Sequence, residues 1–338
     1  MMRQRKPVRL LLAFLLDPTS VFSQGYLDLN GNGAKEPYED PHLAPQRRAR
    51  DLIGRMSLEQ KSTQMHHRAK AVEEHGIPSY SWWEEALHGV WKSPGTQFPQ
   101  NVGLAATWDV DLIRDVYTAI SDECRAFYNA GQKRGLNYYS PAVLGVMRDK
   151  RWQRCEESFG EDPYLISRLA ATTYQAFQGT ADQSGYLKVI ATAKHFVSNR
   201  GPLGRDHPSA GLSGPASERT TREVSFEPYK AAVREGHVGE FMSAYSGRPT
   251  GLDWNHRPCA LSRLLLTDIL RTEWHFDGHV TSDCDALAQI RKSDGYSSEE
   301  VISEAVKAGV DLVCGWDYAE PIVAAVENGL LHEDYVDQ

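Results

Sequence analysis

Gly278-His279-Val280-Thr281-Ser282-Asp283-Cys284-Asp285-Ala286 is the stretch that decides the fold. A short apolar run ends abruptly in acidic residues. In a β/α barrel, a carboxylate at the C-terminal end of a strand points into the active-site mouth. Held there, it can act as a nucleophile. Taken alone, the stretch is equally a strand followed by an Asp helix cap. The residues around it tip the balance toward chemistry.

Outward from this point, short apolar runs alternate with amphipathic segments. Strands are expected at Asn137–Val143, 188–196, 239–245, His279–Ser282 and 310–314. Helices are expected at 110–128, Pro163–Gln178, 218–235, 263–273 and Ser298–Ala308. Strands alternating with helices imply a parallel sheet with helices packed outside it. Ser140, Lys194, His195, Tyr245 and Asp283 all fall at or just after strand ends. That concentration favours a closed α/β architecture, a (β/α)8 TIM-type barrel, over an open sheet.

With 41% hydrophobic and 24% charged residues among 338, the chain has ordinary globular composition and material for a sizeable core. Its net charge of −8, without a long basic run, argues against nucleic-acid binding. The 8 Trp and 15 Tyr offer flat faces suited to sugar rings, although most aromatics simply fill cores.

Arg3, Arg5, Lys6 and Arg9 precede the apolar run from Leu10 to Leu16, with Val21 and Ser23 ahead of Gln24. Residues 1–23 therefore read as an export signal, and the expected location is periplasmic or extracellular. The competing reading is an unprocessed N-terminal segment. The run is too short to span a bilayer and no later segment qualifies, so no membrane association is expected. Residues 24–44 contain Asp28, Asn30, Asn32 and Glu39 in the spacing of a calcium loop, with Gly33 at the sharp turn. No helix evidently precedes Asp28, and Pro37 is unusual in such a loop. The alternative is a Gly/Asn-rich turn into the helical stretch 45–65, where Ser57-Leu58-Glu59-Gln60 forms a capping box. Calcium is thus a candidate structural ion, and no catalytic cofactor is implied.

The five cysteines, Cys124, Cys155, Cys259, Cys284 and Cys314, form no CxxC pair, which argues against a zinc ribbon. An exported protein can oxidise two of them, and the sequence leaves open which.

Four clusters stand beside Asp283. Lys194-His195 follows a β-rich run. Arg148, Arg151 and Arg154 surround Trp152, and Arg donors grip carboxylates or hydroxyls in fixed geometry; a salt-bridged loop with Glu156, Glu157, Glu161 and Asp162 is the competing account. Trp82-Trp83-Glu84-Glu85 joins aromatics to carboxylates. Tyr245 ends another expected strand. Together they suggest a hydroxyl-binding pocket around one buried carboxylate. His66, His67 and His88 lack ligand spacing for a hydrolytic metal.

The segments "RMSLEQK", "GIPSYSWWEEALHGV", "FPQNVGLAATWD", "RDKRWQRCEESFGEDPYL", "ATAKHF", "MSAY", "LLTDILRTEWHFDGHVTSDCDA" and "AGVDLVCG" occur in this order. On them, residues 45–338 resemble the N-terminal barrel domain of glycoside hydrolase family 3, in its bacterial β-xylosidase/β-glucosidase branch. The resemblance implies that Asp283 is the nucleophile of a retaining exo-β-glycosidase. It implies that Glu85, Arg154, Lys194, His195 and Tyr245 bind the substrate, a small oligosaccharide or an aryl or alkyl glycoside. Glu85 stands where the family has a shorter Asp, and its longer arm fills space that a hexose hydroxymethyl would need, favouring xylose over glucose.

The same resemblance implies a C-terminal α/β sandwich domain that packs on the barrel and supplies the acid/base. Gln338 falls within the last expected barrel helix, so the barrel is expected to be truncated there. Two alternatives follow: a non-catalytic sugar-binding barrel, or an N-acetylglucosaminidase whose acid is an Asp206-His207 dyad after "KHF". Lys150, Gln153, Ser246 and a longer loop after Tyr245 depart from the family pattern and put loop geometry, not the fold, in question.

Overall fold

The computed structural model describes residues 26–133, 135–148, 150, 152, 154–180, 186–197, 217–244 and 254–338. The expected export signal, Asp206, His207 and Tyr245 lie outside them. The chain divides into two compact units. The first holds the described residues up to Ser57 together with Ala71–Ser79, and the second holds Leu58–Lys70 and Tyr80–Gln338.

In the first unit, Pro45–Ile53 forms a helix opened by its proline, which has no N–H to leave unsatisfied. Tyr38 is buried and donates its hydroxyl to the His75 carbonyl at 3.3 Å. Gly76 turns the chain with φ 65°, and a Cβ there would lie 1.9 Å from the Leu29 carbonyl oxygen. Only glycine fits such an approach.

In the second unit, strands β1 (Arg68–Ala69) and β2 (Tyr80–Ser81) pair antiparallel. Strands β3 (Asn137–Val143), β4 (Ile190–Phe196), β5 (Glu240–Ser243) and β6 (His279–Ser282) form a parallel sheet in that order. Backbone bonds continue this sheet at both edges. Leu312 bridges Thr281, Val313 bridges His66, the Trp82 amide donates to the His67 carbonyl at 2.8 Å, and Glu84 bridges Tyr138 on β3. The 310–314 run therefore joins the sheet through single bridges. The antiparallel β1–β2 pair is a departure from the all-parallel order expected of the barrel.

Side chains show how strongly the sheet curls. β3 and β6 are separated by two strands, a span of about 14 Å if the sheet were flat. Yet the Tyr139 and Thr281 hydroxyls are 3.2 Å apart, and Asn137 Nδ2 lies 3.3 Å from His279 Nε2. A curved sheet with its inner face filled is the architecture of an α/β barrel.

Helices cover the outside. Val110–Asn129 starts at Asp109, whose carboxylate accepts from the amides of Asp111 and Leu112. Pro163–Gln178 starts at Asp162 in the same way, and Ser298–Ala308 opens with a Ser297/Glu300 capping box. Their apolar faces pack into one core with the outer faces of the strands; Ile113, Tyr117, Ile166, Phe177, Val301 and Ile302 are all buried. The expected helix 218–235 is broken: wide turns at Thr221–Ser225 separate Glu218–Thr220 from Glu227–Arg234. Pro228 has no amide hydrogen to continue the helical ladder. Leu264–Glu273 is also wide-turned rather than α-helical. After Cys314 come helices Ala319–Glu327 and Glu333–Asp337, and Lys61 binds Glu333 at 2.8 Å and Asp337 at 2.7 Å. No helix among the described residues is long and apolar enough to cross a membrane.

Candidate active site

β4 and β5 are out of step where the site forms. Ala193 pairs with Phe241 but Phe196 pairs with Ser243, so β4 carries an extra residue between them. In a regular strand, neighbouring side chains point to opposite faces. The bulge re-aims them, and Lys194 and His195 are both buried within reach of site carboxylates.

Asp283 follows β6 directly and is 5% exposed. Its Oδ1 accepts the Cys284 amide at 2.8 Å, and its Oδ2 lies 3.5 Å from His195 Nε2. Arg154 Nη1 lies 2.8 Å from the same Nε2. A guanidinium can only donate, so His195 accepts there and is neutral, with its proton on Nδ1. The Tyr229 hydroxyl fixes the strand from behind, donating to the His195 carbonyl at 2.7 Å.

Arg154 also grips both oxygens of Glu157, each at 2.6 Å. Burial works against its charge, but the Glu157 pair and the nearby Asp283 and Glu85 carboxylates outweigh it and raise its pKa. Lys194 Nζ donates to Glu85 Oε2 at 3.0 Å. Glu85 Oε1 accepts the Ala86 amide at 3.2 Å, and that amide also reaches Ser140 Oγ at 2.8 Å. Glu84 pairs instead with Lys133 at 3.2 Å. Trp83 and Trp91 meet edge to face, ring centres 5.2 Å apart.

Tyr139, Met242 and Cys314 form a small apolar cluster, with Trp83 and Cys284 against it. Burial pushes the Tyr139 phenol well above its ordinary pKa, so it stays neutral.

The structure thus brings together Asp283, Glu85, Arg154, Lys194 and His195. Two features were missed as parts of the site. Glu157 stood in the sequence only as a member of a salt-bridged loop, yet it clamps Arg154; its i,i+3 spacing from Arg154 was the available signal. The second is a Cys284–Cys314 disulfide, which no spacing rule selects from five cysteines.

The candidate calcium loop lies in the first unit, and its side-chain oxygens accept amides of the loop. Asp28 accepts the Asn32 and Gly33 amides, and Asn30 Oδ1 accepts the Asn32 amide. Asn32 Oδ1 accepts the Ala34 amide. Glu39 is fully buried; its Oε1 accepts the Leu29 amide at 2.6 Å and its Oε2 the Glu36 amide at 3.2 Å. Glu39 thus caps backbone at both ends of the loop. Among the described residues, no group of three His, Cys, Asp or Glu side chains is placed to hold a metal.

Comparison with known proteins places this geometry in a lineage. Residues 50–338 match the family described as "Glycosyl hydrolase family 3 N terminal domain". The chain is 38% identical over 315 residues to a xylan 1,4-beta-xylosidase of Xylanibacter ruminicola, covering 89% of this chain and 35% of that protein. It is 36% identical to beta-D-xylosidase 1 of Arabidopsis thaliana, covering 85% of this chain and 38% of the relative. It therefore spans well under half the length of these relatives. Among solved structures, it is similar to a GH3 exo-beta-xylosidase in complex with a xylobiose aziridine probe, with TM-score 0.78 and 28% identity over 87% of this chain and 39% of that one. A β-glucosidase from Erythrobacter marinus follows at TM-score 0.74 and 26% identity, over 89% of this chain and 44% of that one. With strand-end carboxylate, bulged Lys-His pair and sequence kinship in agreement, this chain belongs to glycoside hydrolase family 3, as its N-terminal domain.

Proposed function

We propose that this chain bears the nucleophile of a retaining exo-β-glycosidase that removes terminal β-linked xylose from small oligosaccharides or aryl and alkyl glycosides. One observation carries this: Asp283 is buried at the end of β6, beside a neutral His195 that Arg154 holds in place. A nearby cation favours the ionised carboxylate, the form that attacks.

In this mechanism an Asp283 oxygen bonds to the anomeric carbon as the glycosidic bond breaks. The leaving oxygen takes a proton from a second carboxyl group. That group then removes a proton from water, which displaces Asp283 and regenerates it. Retaining pairs stand about 5–5.5 Å apart. We assign the second group to a C-terminal α/β sandwich domain; Asp206-His207 is the alternative within this chain. Lys194, His195, Arg154 and Glu85 bind sugar hydroxyls, with Tyr245 near the nucleophile, and bonds that tighten toward the transition state supply the selective stabilisation.

Glu85 in place of the family's shorter Asp supports xylose, because its longer arm would fill space that a hexose hydroxymethyl needs; Lys194 holds that arm at 3.0 Å. The disulfide supports a periplasmic or extracellular location, since such bonds persist in oxidising compartments.

The test is intact mass and peptide mapping after incubation with a 2-fluoro-β-xyloside carrying a dinitrophenolate leaving group, which needs no proton. A fluoroxylosyl adduct on Asp283 is the expected result. Faster labelling by the glucoside analogue would reassign the sugar. No adduct from either, on folded protein, would overturn the catalytic reading in favour of a sugar-binding barrel.

A further inference from the structure

The turn that presents Asp283 is fastened to the neighbouring 312–316 segment at every step. The Ser282 amide donates to the Leu312 carbonyl at 2.9 Å, and its hydroxyl accepts the Cys314 amide at 3.1 Å. The Asp285 amide donates to the Cys314 carbonyl at 2.9 Å, and Asp285 Oδ1 accepts the Trp316 amide at 3.0 Å. Between these bonds the Cys284–Cys314 disulfide closes the gap, with Cα atoms 4.3 Å apart. The segment is anchored in turn: His66 Nε2 lies 2.9 Å from the Gly315 carbonyl oxygen, and the Gly315 amide donates to His67 Nδ1 at 3.3 Å.

Cys284 has a second role. Its amide is the group that orients Asp283 Oδ1. The residue that aims the carboxylate is therefore the residue covalently tied to the next segment. Asp285 follows in the left-handed region, φ 63°, and opens the helix Ala286–Asp294, so the strand-to-helix turn is confined to Asp283, Cys284 and Asp285.

We propose that the Cys284–Cys314 disulfide is a positioning element for Asp283, and that reaction at Asp283 depends on its oxidation state. This rests on Asp283 being the nucleophile. Cys284 is partly accessible and Cys314 is buried, so a phosphine reductant attacks the Cys284 sulfur. Cys314 leaves as a thiolate and takes a proton; water then releases the Cys284 thiol and carries off the phosphine as its oxide. Two thiols form, one phosphine is oxidised, and the Cys284 amide loses its tether.

The experiment measures the rate of fluoroxylosyl labelling at Asp283 in this chain, in three forms. These are the oxidised protein, the same protein reduced with tris(carboxyethyl)phosphine, and Cys284→Ser/Cys314→Ser, all assayed below their melting temperatures. A displacement of the order of 1 Å costs about 10²-fold in rate, so the maximal labelling rate is expected to fall about that much without the bridge. The half-saturating concentration should stay within about 3-fold, because uniform binding is untouched. Should the double variant not fold, the reduced protein is alkylated with diiodomethane, each thiol losing its proton and displacing one iodide, so that one methylene joins the two sulfurs, restores the tether without a disulfide and should recover the rate. Equal labelling rates in oxidised and reduced protein would overturn the proposal, as would a folded, bridged protein that stays slow. No labelling of the oxidised protein would instead sink the nucleophile reading beneath it.

Discussion

Arg154 holds His195 by a 2.8 Å contact to Nε2, the same ring nitrogen that faces Asp283 Oδ2 at 3.5 Å. The imidazole is thereby committed to accepting from the guanidinium, and Glu157 commits the guanidinium in turn. Arg154→Lys keeps the charge but loses the planar fork. Hydrogen bonds to charged groups contribute about 1.5–3 kcal/mol, so labelling at Asp283 should slow by about 10- to 100-fold. Glu157→Gln should have the same sign and a smaller effect. Unchanged rates in both would show that the clamp is idle.

Asp283→Asn keeps the side-chain shape and the Cys284 amide contact but removes the attacking charge. Labelling and glycoside hydrolysis should fall by at least about 10⁴-fold. Circular dichroism should show an unaltered fold. Residual labelling elsewhere on the chain would identify a different nucleophile.

His67 gives a pH-dependent contribution to stability. Burial, reinforced by the charges of His66 and Arg68, pushes its pKa from 6.5 down to about 4. The unfolded chain therefore takes up a proton near pH 6.5 that the folded protein refuses until about pH 4. Stability falls as the pH drops through that window, by up to about 1.4 kcal/mol per pH unit. Protonation would also break the Gly315 amide bond to Nδ1. Urea denaturation between pH 7 and pH 4.5 should show a shallower acid slope for His67→Gln than for the parent; parallel slopes would refute the assignment.

His279 works in the opposite direction. Burial disfavours its charge, but the Glu240 carboxylate at 3.1 Å outweighs this and raises its pKa. Its contribution is complete below the unfolded value near 6.5 and disappears as the pH rises through the folded value. The stability gap between the parent and His279→Gln should accordingly be widest in acid. Glu240 is fully buried and also accepts from Thr192 Oγ1 at 2.5 Å. Glu240→Ala strands these partners and should cost about 3–5 kcal/mol, read as a lower denaturation midpoint.

The disulfide also ties the ends of a 30-residue separation. Restricting the unfolded chain over such a loop contributes about 3–4 kcal/mol in the chain-entropy account. Reduction should lower the melting temperature reversibly, and a melt insensitive to reductant would contradict this.

The strands and their end residues were readable because a short apolar run and its polar terminus are local facts. Asn137–Val143 and His279–Ser282 have the bounds that the sequence suggests, and Asp283 sits where such a run must end. The helix break before Pro228 was equally local and was overlooked. The disulfide and the grip of Glu157 on Arg154 depend on which segments become neighbours, which no window along the chain contains. In the Asp28–Glu39 loop the residues that the spacing singles out share one short turn, where their side-chain oxygens accept the amides of the loop itself.

The extra residue in β4 has a consequence for comparing this chain with others. Lys194 and His195 face one pocket because three steps of β4, from Ala193 to Phe196, match two steps of β5, from Phe241 to Ser243. Adding one residue to β5 between Phe241 and Ser243 would restore a regular ladder and turn one of the two side chains away. A homologue can therefore keep every letter of "KHF" and still lose the pocket through a single insertion in the neighbouring strand. When function is transferred among such barrels, the count of residues between two pairing points tells more than the percentage of identical ones.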